Sequence, residues 1–249
     1  MIECRELGKQ FTQKWAIRDL NLTVPAGTVY GFLGPNGAGK TTTIQMMVGL
    51  LRPTTGTVLI DGHDMVADPV TAKGCLGYVP DEPYLYEKLT GREYLEFTCE
   101  LFSVPRAERR RRIDDLLEQF AISGDQHQLI GSYSHGMRQK IALMAALVHQ
   151  PSNLFLDEPT VGLDPGTARL LKDILAQQAA QGATVLFSTH ILEIAETICD
   201  AVAIIHQGRA IATGSLRELR ERSVQGNQRL EDIFIELTAP AGEVHTAYS

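Results

Sequence analysis

What the chain has little of narrows it first. Its 249 residues include four cysteines, Cys4, Cys75, Cys99 and Cys199, far apart and with no Cys-x-x-Cys pair. Such scattered thiols argue against a metal cage or a disulfide framework and suit a reducing compartment. The first eleven residues lack the apolar stretch of a secretory signal. The most apolar helical run, residues 141–148, falls far short of the roughly 20 residues that a spanning helix needs. A basic excess is missing too: the net charge of -7 offers no global field for nucleic acid, and no nucleic-acid partner is expected. There is no Ser/Pro-rich linker, internal repeat or low-complexity tract. The expectation is a soluble cytoplasmic protein that, if it works at a membrane, relies on another chain for the span. With 44% hydrophobic and 21% charged residues, the composition is that of an ordinary globular chain, long enough to bury a sizeable core.

What is present has a clear rhythm. Apolar and polar positions alternate over residues 2–7, 20–24 and 28–33, which reads as short strands broken by Pro25, Ala26 and Gly27. A strand over 29–33 runs into a Gly-rich loop, and residues 40–51 follow with helical spacing. Residues 57–61 and 76–79 look like further strands. From Thr90 to about His149 the pattern is helix after helix. One covers 91–102, a second starts near Pro105 and carries Arg109 to Arg112, and a third starts near Ser134. Afterwards the apolar runs 154–156, 184–188 and 202–205 alternate with helices, the βαβ rhythm of a parallel sheet. The fold class is therefore α/β, with an all-helical insertion.

The loop Gly34-Pro35-Asn36-Gly37-Ala38-Gly39-Lys40-Thr41 fits G-x-x-x-x-G-K-[ST] without a gap. Its glycines allow backbone angles that aim successive N–H groups at phosphate oxygens, helped by the positive end of the helix that follows. Lys40 supplies a point charge for the β- and γ-phosphates, the Thr41 hydroxyl is a candidate Mg²⁺ ligand, and Thr42 lies beside it. Strand before and helix after are the context such a loop requires. The run Leu154-Phe155-Leu156-Asp157-Glu158 is an apolar strand ending in two acids. Asp157 is a candidate Mg²⁺ holder, and Glu158 a candidate base for the attacking water. ATP and Mg²⁺ are the expected ligands.

Here the chain resembles, over nearly its whole length, the ATP-binding subunit of ABC transporters. Ser134-His135-Gly136-Met137-Arg138-Gln139 stands where that family has its LSGGQ signature, Val161-Gly162-Leu163-Asp164 at its D-loop, and Ser188-Thr189-His190 at its switch histidine. The resemblance implies a P-loop NTPase core with a mostly parallel sheet, an N-terminal antiparallel β-subdomain and an inserted helical signature subdomain. It implies one domain over 1–238: core segments 1–85 and 151–215, the helical part over about 86–150, and C-terminal helices over about 215–238. Residues 239–249 would be a frayed tail. It further implies that Phe11 stacks on adenine with Ala16 near it, and that each ATP lies between the P-loop of one subunit and the Ser134–Gly136 signature of another. Asp164 would reach across that interface, and His190 would contact the γ-phosphate within its own chain. The second subunit could be another copy or a paralogue.

Three positions depart from the family pattern. Asp81 stands where a Gln is usual; a carboxylate there could ligate Mg²⁺ and act beside the attacking water, or merely cap the following turn. The signature reads Tyr133-Ser134-His135-Gly136-Met137, which keeps its serine and second glycine; His135 could put a titratable cation near the trans phosphate or be simply solvated. Val161 occupies a position that is often Ser or Ala.

The stretch from Tyr133 to Lys140, and Leu230 to Thr238 near the end, resemble the ATPase subunits of type-two export systems, which carry drugs, antibiotics, polysaccharides or lipids. That resemblance implies an exporter at the inner face of the cell membrane, its permease contacted through residues 84–92, from Tyr84 to Arg92. The same aromatic side chains could instead pack beneath the loop at Asp81. The run Arg109 to Arg112 reads as a solvated helix face, with anionic lipid headgroups as the alternative. A soluble ABC ATPase unconnected to transport, of the iron–sulfur assembly kind, is the competing functional class.

Overall fold

The computed structural model of the chain describes residues 1–160, 164–222 and 229–238. The expectations for Val161, Gly162, Leu163 and the tail 239–249 fall outside them.

The chain begins with a long hairpin. Strands β1 (Ile2–Phe11) and β2 (Lys14–Val24) pair antiparallel, and β4 (Thr55–Ile60) and the two-residue β5 (His63–Asp64) extend the sheet in the order β2-β1-β4-β5. The expected short strands 2–7 and 20–24 are thus parts of longer ones. The apparent breaks are register shifts: the β1–β2 pairing slips between Cys4 and Leu7, where Glu6 takes φ 49°. A bulge of this kind interrupts the polar–apolar alternation without ending the strand.

The second sheet holds β3 (Val29–Leu33), β6 (Leu76–Val79), β7 (Asn153–Asp157), β8 (Thr184–Thr189), β9 (Ala201–His206) and β10 (Arg209–Ser215), in the order β10-β9-β3-β8-β7-β6. All pairs are parallel except the β9–β10 hairpin. Every residue of β3, β7 and β8 is buried, which explains why these strands read as unbroken apolar runs rather than as alternations.

Helix α1 (Lys40–Met47) follows β3 and ends four residues short of the expected 51; α2 (Pro69–Gly74), capped by the Asp68 carboxylate, was not legible in the sequence. The inserted region holds α3 (Gly91–Leu101), α4 (Arg106–Gln119, with Pro105 as its N-cap) and α5 (His135–Leu147, with Ser134 as its N-cap). Then come α6 (Pro165–Ala180), α7 (Leu192–Ile198), α8 (Leu216–Arg222) and α9 (Leu230–Thr238).

Two apolar clusters hold these layers. One fills the space between the sheets and α1, with Phe32, Ile44, Met46, Phe155 and Leu186 at its centre. The other joins the far face of the parallel sheet to the helices through Phe187, Ile141, Leu117 and Phe120. β3 belongs to both, contributing Phe32 to one and Leu33 to the other. The phosphate loop therefore leaves the sheet from a strand buried on both faces.

Candidate nucleotide site

The loop from Gly34 to Gly39 connects buried β3 to α1. Gly39 is the helix N-cap at φ 106° and offers no side chain to the first-turn N–H groups, which stay available to an anion. A Cβ at Gly39 would stand 2.3 Å from the Ala16 carbonyl oxygen, so only glycine lets the loop lie against β2. That contact also places Ala16 beside the loop. Pro35, Asn36, Gly37 and the Thr41 side chain are exposed, Ala38 is buried and Thr42 is half-buried. Lys40 is only 6% exposed. Its ammonium donates to the carbonyl oxygens of Gly34 at 2.8 Å and Pro35 at 3.3 Å, and lies 3.2 Å from Glu158 Oε1.

The two acids close β7. Asp157 is fully buried and pairs in register with Ser188 of β8, whose hydroxyl donates to Asp157 Oδ1 at 2.5 Å. The other oxygen, Asp157 Oδ2, is buried without a hydrogen-bond partner. Glu158 takes φ 49°, a conformation that side chains rarely adopt, and its N–H donates to the Ser188 carbonyl and hydroxyl oxygens at 3.2 and 3.1 Å. This strained turn aims the Glu158 carboxylate between two nitrogen-bearing side chains: Lys40 on Oε1 and His190 Nδ1 on Oε2 at 3.0 Å. His190 itself is exposed at the end of β8. Ser188 therefore supports both acids; the sequence reading quoted it without giving it this role.

Buried, unpartnered carboxylate oxygen is costly unless something else satisfies it. The unpartnered Asp157 Oδ2, with an exposed Thr41 at the start of α1, is a donor set that suits a hard cation taking its remaining oxygens from a phosphate. Among the described residues no cluster of three or more His, Cys, Asp or Glu could cage a metal by protein ligands alone, so the donor set fits a metal shared with a nucleotide.

Asp81 lies exposed in the loop after β6. Partial burial, then the charges of Asp157 and Glu158, push its carboxyl above the usual carboxylate range, with Glu82 adding to this and His190 opposing it. The Tyr78 phenol is pushed up by burial and then by Asp157 and Asp81. Asp81 thus shares the field of the catalytic-candidate acids. The Asp81 side chain makes no hydrogen bond among the described residues, so the turn-capping alternative gains nothing.

The signature candidates stand elsewhere. Ser134 is exposed at the N-cap of α5, its Oγ accepting from the Met137 N–H at 3.3 Å, and the space beside Gly136 is open. His135 is exposed. Helix α5 packs on β6, and β8 and β7 intervene between β6 and β3. Three strand spacings, about 14 Å, therefore separate its sheet edge from the phosphate loop. Asp164 is exposed and caps α6: its carboxylate accepts from the Thr167 N–H at 3.0 Å and hydroxyl at 2.6 Å, which hold it below the usual range. Phe11, at the end of β1, is 48% exposed with the Lys9 ammonium 5.3 Å from its ring centre.

An apolar groove of about 550 Å³ opens between the loop after β6 and helices α3 and α5, lined by Tyr78, Tyr84, Phe97, Leu101 and His149 among others. Tyr84 is 91% exposed, and Tyr86 packs edge-on against Tyr94 and Phe97. The arginine run is engaged with carboxylates: Arg109 with Glu100, Arg110 with Asp114, Arg111 with Asp115 and Arg112 with Glu108.

A sequence model described as ABC transporter matches residues 17–161, more than half of the chain. The chain belongs to that family. The ABC transporter ATP-binding protein NatA of Bacillus subtilis is 37% identical over 94% of this subunit and 95% of its own length. The daunorubicin/doxorubicin resistance ATP-binding protein DrrA of Streptomyces peucetius is 40% identical over 88% of this chain and 66% of its own. Among solved structures, the ATP-binding subunit of an ABC transporter superposes with a TM-score of 0.92 at 34% identity, covering 96% of this chain and 99% of that one. This ABC subunit is thus an ATP-binding subunit and an ATPase of the family, with the mixed α/β fold of its relatives. No helix among its described residues is long and apolar enough to cross a membrane.

Proposed function

We propose that this ATPase is the motor of an exporter. It binds ATP on the Lys40 loop, pairs head to tail with a second copy of itself, and drives a separate membrane permease from the inner face of the membrane. The observation that carries the catalytic part is the buried Glu158 carboxylate, flanked at 3.2 Å by Lys40 and at 3.0 Å by His190.

The chemistry follows from that placement. The first-turn amides of α1 and the Lys40 ammonium receive the β- and γ-phosphates, Lys40 leaving the loop carbonyls it now holds. Glu158 accepts a proton from water as the water oxygen attacks the γ-phosphorus. The bond between that phosphorus and the β–γ bridging oxygen breaks, and ADP departs with the electron pair. His190, oriented by Glu158, donates to a γ-phosphate oxygen. Mg²⁺, on Asp157 and Thr41, would neutralise charge on the phosphate oxygens. Asp81, which feels the charge of Asp157, would add a third oxygen to that ion. Phe11 would offer its exposed ring to adenine, and Ala16 lies against the loop at Gly39.

The α5 N-terminus and the Lys40 loop lie on different parts of one chain, so Ser134 and the Gly136 N–H serve the nucleotide of the other copy. Asp164, exposed at the start of α6, would reach across that same boundary. ATP then acts as an adhesive for the closed pair, and hydrolysis removes the phosphate that joins them. The groove beside Tyr84 and the segment to Arg92 supply an aromatic, unpartnered face for a permease helix, which an ATPase on a soluble scaffold would not need. The drug-resistance role in the name of the Streptomyces relative supports export as the direction.

The decisive test is Glu158→Gln. Hydrolysis should fall by about a hundredfold or more while ATP still binds, and the variant should accumulate as an ATP-dependent dimer on size exclusion. Turnover surviving intact would remove Glu158 from its role. Asp81→Gln tests the third oxygen: the Mg²⁺ concentration for half-maximal rate should rise. An unchanged rate at every Mg²⁺ concentration would sink that assignment.

A further inference from the structure

The helix that carries Ser134 is fastened to the segment that borders the docking groove. Immediately after Tyr84 and Tyr86, the Glu87 carboxylate lies 2.6 Å from Arg138 Nη2, in the first turn of α5. The Glu87 carbonyl oxygen accepts from the Gly131 N–H at 3.0 Å, and the Leu89 carbonyl oxygen from the Ile130 N–H at 2.9 Å. Thr90 bridges Leu129, and Tyr133, the residue before Ser134, is buried with its hydroxyl donating to the Asp125 carbonyl oxygen at 2.8 Å. A Cβ on Gly91 would stand 2.4 Å from that same hydroxyl oxygen, so α3 begins pressed against Tyr133.

These ties differ in kind. The backbone bonds hold the loop 129–131 and say nothing about how α5 itself is turned. Among these ties, the Glu87–Arg138 pair is the side-chain contact that reaches from the groove segment past Ser134 into the helix. Arg138 is the donor and Glu87, 60% exposed, the acceptor. An exposed pair like this contributes little to folding. Its value lies in the angle it sets.

We infer that Arg138, anchored by Glu87, is a positioning residue for the trans phosphate site: the pair fixes the direction in which Ser134 and the Gly136 N–H face the nucleotide of the second copy. It rests on the head-to-tail closure proposed above. A small rotation of the segment 84–87, such as a helix seated in the groove would impose, is delivered through the pair to α5.

The test measures closure rather than folding. In the Glu158→Gln background, the ATP-dependent dimer dissociation constant is determined by analytical ultracentrifugation for Glu87→Arg, Arg138→Glu and the double exchange, with Glu87→Gln and Arg138→Lys as conservative partners. Melting midpoints are recorded for all. Each charge reversal should weaken dimerisation by about tenfold, and the double exchange should recover most of that loss, because the attraction is restored with its ends swapped. Glu87→Gln should lose most of the effect and Arg138→Lys only part. Singles that dimerise like the parent, or a double exchange no better than its singles, would overturn the inference while leaving closure intact. Failure of the Glu158→Gln parent to dimerise on ATP would instead overturn closure, and this inference with it.

Discussion

At the scale of single residues, the site and its surroundings use burial to decide charge. His149, two residues past the end of α5, stacks on Phe102 with ring centres 3.8 Å apart, and its Nε2 lies 3.1 Å from the Leu76 carbonyl oxygen. A carbonyl only accepts, so Nε2 carries the hydrogen. Burial and then, among the charges, Arg112 hold this imidazole below its ordinary value of 6.5. The folded chain therefore takes up that proton later than the unfolded one. Its contribution to stability is full above the unfolded pKa and is lost as pH falls through 6.5 toward the folded value. The melting midpoint should decline between about pH 7.5 and about pH 5.5, and His149→Gln should flatten that decline while lowering the midpoint throughout. Equal slopes in the two proteins would remove His149 as the cause. Residue identities made the phosphate loop and the acids at 157 and 158 legible because each is a run of neighbours in sequence. The Ser188 bridge between those acids was not, since it depends on the register of two strands 31 residues apart.

At the scale of elements, local chemistry sets where helices begin. The Thr90 hydroxyl accepts from the Glu93 N–H at 3.2 Å, while the Glu93 carboxylate accepts from the Thr90 N–H at 2.8 Å, a complete capping box at the start of α3. That helix carries Tyr94 and Phe97 into the groove wall. Thr90→Ala should cost about 1 kcal/mol and lower the melting midpoint by about 2–4 °C. Amide exchange should quicken in the first turn of α3 more than in β7; uniform loss across the chain would count against a local cap. The same local signals made Ser134 and Pro105 readable as helix starts, and buried parallel strands readable as apolar runs. Elements defined by partners far along the chain were harder. Helix α2 is six residues with one buried side chain, Ala72, too short for periodicity to show. Strand β10 is mostly half-buried and exists through its hairpin with β9. Helix α1 stops at Met47 although apolar residues continue to Leu51, because Val48 already leaves helical geometry.

At the scale of the whole molecule, one chain holds apart the two halves that the proposed closure would join. β3 presents the Lys40 loop from the middle of the parallel sheet, and α5 presents Ser134 from beyond its β6 edge. Two apolar clusters lock those positions into the fold, so bending one chain to join the halves would break a core, whereas docking a second copy would break nothing. Closure therefore costs association entropy rather than unfolding, and ATP has to supply the contacts that offset it. This gives closure a thermodynamic signature independent of any dimer seen on a column. For a closed pair that melts to two separate unfolded chains, each tenfold rise in protein concentration stabilises the pair by about 1.4 kcal/mol. The Glu158→Gln variant saturated with ATP should therefore melt at a midpoint that climbs with protein concentration over a hundredfold range of about 0.5 to 50 μM. Without nucleotide the midpoint should stay level, and Ser134→Arg, which fills the anion site from the other side, should keep it level even with ATP. A midpoint that ATP raises equally at every concentration would mean that the nucleotide stabilises each chain alone, and the head-to-tail pairing would have to be given up.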